Sequence, residues 1–157
     1  MDKLQYESIY GYCRVSSDEQ AKHGTSLAEQ QKTITKMSMY LFEREPDGFY
    51  VDDGVSGALD FYKRPDGKKL QNVLEPNDVV LVAKLDRLIR RLSVLCSVRD
   101  AFSELNIHLF AHDILGGAES ISTSKSPNVN MFVNMMGTFA EWDREETARK
   151  LYQGKMA

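Results

Sequence analysis

The chain has 157 residues, of which 42% are hydrophobic and 27% charged, with a formal net charge of −3. This length suits one domain with a hydrophobic core, and no apolar run approaches the ~18 residues of a membrane-spanning helix. The acidic balance argues against a protein that binds DNA by bulk charge alone, because neutralised phosphates supply most non-specific affinity. The polar start predicts no signal peptide, and the isolated Cys13 and Cys96 predict free thiols, no zinc and a cytoplasmic location.

Strand-like and helix-like patterns alternate along the chain. The predicted strands are Ile9–Val15, Phe49–Asp53, Val79–Ala83 and Ile107–Ala111, and the predicted helices are Ser26–Phe42, Arg64–Leu74 and Leu92–Leu105. Ser26 followed by Glu29 is a capping-box pattern, and the unbroken apolar run from Val79 is typical of a strand buried on both faces. The alternation predicts βαβ units in a three-layer α/β/α fold, with a mostly parallel sheet of about five strands.

A last helix is predicted from Ser126-Pro127 to about Tyr152, which divides the chain into a core, residues 1–126, and a long helix, residues 127–157. Its residues fall on two apolar faces. One face holds Val129, Phe132, Val133, Met136 and Ala140, and the other holds Met131, Met135, Thr138 and Trp142. A helix that is apolar on two sides is buried on two sides, either within its own domain or against a partner. We predict self-association, with Met131, Met135 and Trp142 at the interface.

The end of the first strand combines an arginine with a serine. Side chains alternate along a strand, so Tyr12, Arg14 and Ser16 point the same way. A guanidinium beside a hydroxyl suits phosphate chemistry. The run from Ser16 to Gln20 is also a plausible helix cap, and both interpretations stay open on this segment alone.

Several further motifs follow in order. They are Ser-Leu-x-x-Gln (Ser26 to Gln30), Asp53-x-x-Ser56-Gly57, Arg64-Pro65 and Leu85-Asp86-Arg87-Leu88-x-Arg90. Together with Arg14-Val15-Ser16 they make nearly the whole chain resemble the catalytic domain of serine site-specific recombinases, the resolvase/invertase and large serine integrase family.

The resemblance implies that Ser16 attacks a DNA phosphodiester, forms a 5′-phosphoserine link and frees a 3′-hydroxyl, with no cofactor or metal. Arginine forks stabilise the charge that builds on the phosphate oxygens. The candidates are Arg14, Arg87, Arg90 and, as a fourth, Arg64. Arg87 and Arg90 would share a face if a helix starts there. Asp86 would either orient an arginine or exchange a proton.

The same resemblance implies a set of positioning residues, which are Gln20, Gln30, Tyr12, Asp53, Ser56 and Lys84. It also implies DNA as partner, a dimer that becomes a tetramer in synapsis, and a separate DNA-binding domain, which is absent from these 157 residues. Residues 21–25 look like an insertion of the large integrases, so we expect a catalytic fragment of a longer recombinase. Arg149 departs from the pattern, because the family usually has an acid there.

Two alternatives remain on the sequence. A non-catalytic α/β oligomerisation module would keep the scaffold without the chemistry, although all four arginines are present. A metal-dependent nuclease would use the carboxylates predicted near strand ends, which are Asp52, Asp53, Asp86 and Asp113. The three histidines, His23, His108 and His112, form no recognisable Ser/His/Asp arrangement.

Overall fold

A computed structural model describes residues 6–19 and 26–135, together with Thr138 and Arg149. Its sheet has the strands β1 (Ile9–Val15), β2 (Gly48–Asp53), β3 (Val79–Val82) and β4 (His108–Ala111). All neighbours are parallel, in the order β2-β1-β3-β4. Each strand lies within one residue of its predicted bounds.

The prediction of about five strands is wrong for the described part of the chain, which has four. The outer edge of β4 is instead covered by a loop. Ser122 Oγ donates to the carbonyl of Ile107 (2.6 Å) and accepts from the N–H of Leu109 (3.0 Å), while the N–H of Ile121 donates to the Leu109 carbonyl (2.7 Å). A side chain here satisfies edge groups that a fifth strand would otherwise pair.

The helices are α1 (Leu27–Phe42), α2 (Pro65–Val73), α3 (Leu85–Leu88) and α4 (Leu92–Glu104), followed by residues 127–135, named α5 here. Their starts follow the predicted caps. Ser26 Oγ accepts from the N–H of Glu29 (3.2 Å), and Ser126 Oγ accepts from the N–H of Val129 (3.2 Å). Among the described residues, no helix is long and apolar enough to cross a membrane.

Hydrophobic clusters lie on both faces of the sheet, which confirms the three-layer prediction. Ile34 and Met37 of α1 pack on one face with Leu81 of β3. The opposite cluster joins residues of α2, α4 and the sheet, and α5 contributes Phe132 and Val133 to its edge. Each fully buried Leu or Ile contributes about 1.5–3 kcal/mol to folding.

The described part of α5 shows the predicted two faces. Val129 is fully buried, whereas Met131 and Met135 are 60% and 53% exposed. Thr138 and Arg149 are also helical and exposed. Met136, Ala140 and Trp142 lie outside the described residues, as does the predicted helix end at Tyr152.

Candidate active site

The predicted site residues gather at the carboxyl ends of β1 and β3. These strands are parallel neighbours, so their ends open on the same edge of the sheet, where α/β folds collect their sites. A cavity of about 530 Å³ opens there. The predicted residues that line it are Arg14, Ser16, Ser56, Asp86, Arg87 and Arg90.

Arg14 is almost completely buried at the base of the cavity, with 3% of its surface exposed. Its guanidinium donates to the carbonyls of Arg87 (Nε, 3.0 Å), Val55 (Nη1, 3.0 Å) and Asp86 (Nη2, 3.2 Å). Burial lowers the pKa of Arg14, and the nearby charges of Arg64 and Arg87 lower it further. The group remains a cation at neutral pH, because an arginine side chain does not lose its proton in proteins.

Gln30 of α1 fixes the backbone of Arg14. Its amide accepts from the Arg14 N–H (3.1 Å) and donates to the Arg14 carbonyl (3.0 Å). The β1–β3 register ends at Tyr12 and Val82, whereas Arg14 stays in register with Asp52 of β2. Gln30 therefore bonds to the backbone of β1 beyond the last residue that pairs with β3.

Glu19 is the residue that the sequence analysis did not single out. Its carboxylate accepts from Arg14 Nη1 (3.4 Å) and from Arg87 Nη1, so it joins both arginines. Burial disfavours its charge, but hydrogen bonds from Arg87 and Ser16 outweigh that effect and lower the pKa of Glu19 to about 2. Its spacing of three residues from Ser16 signals only a cap, because the arginine contacts depend on the fold.

Ser16 is partly exposed and lines the cavity. Its N–H donates to Glu19 Oε1 (3.2 Å), and its Oγ accepts from the Glu19 N–H (3.2 Å). This is a reciprocal capping box. The segment therefore has the hydrogen bonds of a cap, and Ser16 lines the cavity together with Arg14.

Arg87 is held by acids on two sides. Asp86 Oδ1 accepts from its Nε (3.0 Å) and Oδ2 from its Nη2 (3.3 Å), while Glu19 takes its Nη1. Burial would lower the pKa of Arg87, but the hydrogen bonds that it donates to Asp86 and Glu19 outweigh that effect and raise the pKa. These paired hydrogen bonds are the contact that the orienting role predicted for Asp86 requires.

Arg64 does not line the cavity. It is fully buried, and it donates to the carbonyls of Leu59 (Nε, 2.8 Å) and Arg87 (Nη1, 2.6 Å) and to the hydroxyl of Tyr12 (Nη1, 3.1 Å). Tyr12 is buried as well and donates to Asp52 Oδ2 (2.7 Å). Arg64 and Tyr12 are thus buried and are not among the residues that line the cavity, and the phosphate contact of Arg64 stays a prediction.

Arg90 borders the cavity, but not from the helix face predicted for it. The single turn α3 ends at Leu88, and Ile89 has extended backbone angles (φ −136°, ψ 128°). Arg87 is buried and Arg90 exposed, so the two approach the cavity from different depths. The expected shared helical face is wrong because the helix is too short.

The remaining predicted residues that the structure describes lie at or just beyond the ends of β2 and β3, and of them only Ser56 lines the cavity. Ser56 Oγ accepts from the Ala58 N–H (3.1 Å) and holds a turn. Asp53 and Lys84 are exposed at the ends of β2 and β3, and Lys84 borders a second cavity of about 150 Å³ shared with Arg87. Gln20 lies outside the described residues.

The carboxylates considered as metal ligands accept hydrogen bonds at different points of the fold. Asp52 accepts from the N–H groups of Asp66 (2.9 Å) and Gly67 (3.0 Å) at the start of α2. Asp113 accepts from the N–H of Leu85 (3.0 Å) at the start of α3. Within residues 6–19 and 26–135, no three His, Cys, Asp or Glu side chains converge as a metal-binding group.

Comparisons with known proteins point to one family. A family model described as the N-terminal domain of resolvases matches residues 9–157. The Tn917 transposon resolvase of Enterococcus faecalis is 27% identical over 150 residues, covering 95% of this chain and 70% of that protein. The Tn21 transposon resolvase of Escherichia coli is 32% identical over 107 residues, covering 65% and 54%.

Two solved structures are similar in fold. The N-terminal catalytic domain of TP901-1 integrase superposes with a TM-score of 0.67 at 28% identity, covering 88% of this chain and 98% of that one. A resolvase-family site-specific recombinase from Streptococcus pneumoniae gives a TM-score of 0.68 at 23% identity, covering 94% and 95%.

Proposed function

The chain belongs to the resolvase N-terminal domain family, the catalytic domain of serine recombinases, and we propose that it cuts and rejoins DNA with Ser16 as nucleophile. In the first step a bond forms between Ser16 Oγ and phosphorus. The bond from phosphorus to the 3′ oxygen breaks, and the DNA leaves with a 3′-hydroxyl. The serine proton is lost and the leaving oxygen gains one, so the step is balanced without a cofactor. Attack by a 3′-hydroxyl on the phosphoserine reverses it.

One observation carries the proposal: a serine hydroxyl and three guanidinium groups border the same cavity. They belong to Ser16, Arg14, Arg87 and Arg90. A phosphodiester repels nucleophiles by its charge, and charge grows on its oxygens during attack. Guanidinium forks bind such oxygens at two points, and removing one well-aimed donor typically costs about 2.7–4 kcal/mol of barrier.

The proposed roles follow from burial and contacts. Arg14 and Arg87 bind the non-bridging oxygens from the base of the cavity, and the exposed Arg90 does so from its rim. Asp86 orients Arg87 through its paired hydrogen bonds. Arg64 and Gln30 act as positioning residues, through the carbonyl of Arg87 and the backbone of Arg14.

The wider setting is also part of the proposal. The net charge of −3 favours DNA affinity that comes mainly from a region outside these 157 residues. Self-association uses the exposed face of α5, where Met131 and Met135 lie. Cys13 is buried, which raises its pKa to about 12, and both cysteines are free, which suits the cytoplasm.

The experiment that tests the mechanism detects the covalent bond. Residues 1–157 are fused to a DNA-binding module of known specificity and mixed with DNA that carries two inverted copies of its site. After denaturation, we expect a protein–DNA adduct at the 5′ end, unaffected by chelator and absent in Ser16→Ala. Ser17→Ala is the matched control, because Ser17 borders the same cavity and is exposed.

The contrary outcomes are distinct. Cut ends without attached protein, formed by Ser16→Ala and lost in chelator, would establish a metal-dependent nuclease. An adduct that disappears in Ser17→Ala and persists in Ser16→Ala would move the nucleophile by one residue.

A further inference from the structure

The Glu19 carboxylate lies between the two buried arginines of the cavity. Its carboxylate takes hydrogen bonds from Arg14 Nη1 (3.4 Å), Arg87 Nη1 and the Ser16 N–H (3.2 Å). These donors come from both arginines at the base of the cavity and from the backbone of the nucleophile itself. An anion at this point is therefore in contact with both buried arginines and with the backbone of Ser16.

A carboxylate and a phosphodiester present the same features to such donors. Each carries one negative charge shared by two oxygens, and each accepts from guanidinium groups in a forked geometry. The cavity thus already holds an anion of the same charge with two accepting oxygens, supplied by its own chain.

We propose that Glu19 is an internal substitute for the scissile phosphate, and that DNA binds productively only by displacing its carboxylate from Arg14 and Arg87. This inference rests on the proposed function, in which these arginines bind phosphate. Without DNA, Glu19 balances part of the buried positive charge and keeps both guanidinium groups oriented. Because Glu19 competes for the two arginines, the site binds free phosphate weakly. The arginines lose their contact with Glu19 only when the substrate enters.

The low pKa of Glu19 agrees with this arrangement, because the competitor is fully ionised at neutral pH. Phosphate must therefore displace a charged group rather than a protonated one. Displacement breaks the ion pairs of Glu19 and forms new ones between the arginines and phosphate. The net affinity for phosphate is therefore lower than it would be for an arginine pair without Glu19.

The test measures the affinity of the 157-residue chain for inorganic phosphate by calorimetric titration at constant ionic strength. Glu19→Gln keeps the side-chain length and an oxygen that accepts from the Ser16 N–H, but it loses the charge. We expect its dissociation constant to fall about tenfold, the size typical of removing one close charge. Glu19→Asp keeps the charge on a shorter side chain, so its dissociation constant should lie between those of the wild type and Glu19→Gln.

Asp18→Asn is the matched control. Asp18 is the neighbouring acid and borders the same cavity, but it is exposed and forms no ion pair with either arginine in the described part of the chain. Asp18→Asn removes the same unit of charge as Glu19→Gln. We expect it to change the dissociation constant for phosphate less than about twofold, because exposed charges are screened. Circular dichroism confirms the folded state of each variant, and the Glu19→Asp result stands if Glu19→Gln does not fold.

The outcomes separate this inference from the proposed function. Equal affinity in wild type and both Glu19 variants, or an equal gain in Asp18→Asn, would overturn the role of Glu19 alone. Adding Arg87→Gln to Glu19→Gln should abolish the gain. Phosphate binding that is absent from every protein, or that persists without Arg87, would contradict the phosphate contacts of the proposed function as well.

Discussion

At the scale of single residues, backbone carbonyls and carboxylates together hold the arginines of the site. Arg14 donates to three carbonyls, and the Arg87 carbonyl receives one hydrogen bond from Arg14 and one from Arg64. Carbonyl oxygens orient a guanidinium without cancelling its charge. The carbonyls thus aim Arg14 in advance, which is the condition for electrostatic catalysis. The carboxylates of Glu19 and Asp86, by contrast, balance part of the positive charge of Arg14 and Arg87.

The close approach of Gly57 to Arg14 gives a prediction at this scale. A Cβ on Gly57 would lie 2.8 Å from Arg14 Nη2, so Gly57→Ala must push the guanidinium aside. Displacement by ~1 Å lowers the rate of adduct formation about a hundredfold, and the overpacking costs about 1 kcal/mol of stability. Single-turnover adduct formation and urea unfolding measure the two effects.

Gly48→Ala is the control for this substitution. Its added Cβ would meet no heavy atom closer than Tyr10 Cδ1 at 3.9 Å, an ordinary contact. We expect a rate close to wild type. An unchanged rate in Gly57→Ala would show that the position of Arg14 tolerates this shift.

At the scale of elements, the site depends on how α1 meets the end of β1. The β1–β3 pairing stops at Tyr12 and Val82, two residues before Arg14. Beyond that point Gln30 bonds to the N–H and carbonyl of Arg14. A buried amide from a helix therefore holds the strand end that carries the arginine.

Replacing this amide should loosen the strand end. Gln30→Leu removes both hydrogen bonds and leaves the buried N–H of Arg14 without its acceptor, at a cost of about 2 kcal/mol. Adduct formation should fall as well, because the backbone under Arg14 is released. Gln31→Leu, the next residue of α1 and less buried, should change stability by less than about 0.5 kcal/mol. Equal effects of the two substitutions in urea unfolding would refute the positioning role of Gln30.

At the scale of the whole molecule, α5 presents an apolar face that the described core does not cover. Val129 is buried against the core, but Met131 and Met135 are more than half exposed. Flexible apolar side chains exposed together on one helix are typical of protein interfaces. A second copy of this chain is the partner we expect.

Self-association of the chain tests this surface. In sedimentation equilibrium we expect Met135→Lys to raise the dissociation constant at least about tenfold, because it places a charge in an apolar contact. Met39→Lys is the matched control, since Met39 is 47% exposed on α1, away from α5. A wild-type chain that stays monomeric at high concentration, or equal weakening by both variants, would contradict the interface.

The sequence by itself determined the four strands, the helix starts and the order of the motifs. These features depend on local information: the apolar run of β3, the serine caps of α1 and α5, and alternation along β1. Residues close in sequence control them, so pattern reading recovers them within about two residues. Membership of the family follows from the same local motifs.

Only the tertiary structure decided how the charged groups pair. Arg87 meets Glu19 across 68 positions of sequence and the backbone of Arg14 across 73, and no local pattern reports such a contact. Burial also separated Arg64 from the arginines that face the cavity, although its motif looked equivalent to theirs. The physical reason is that a charge acquires its role from the groups around it in space, and those groups come from distant strands and helices.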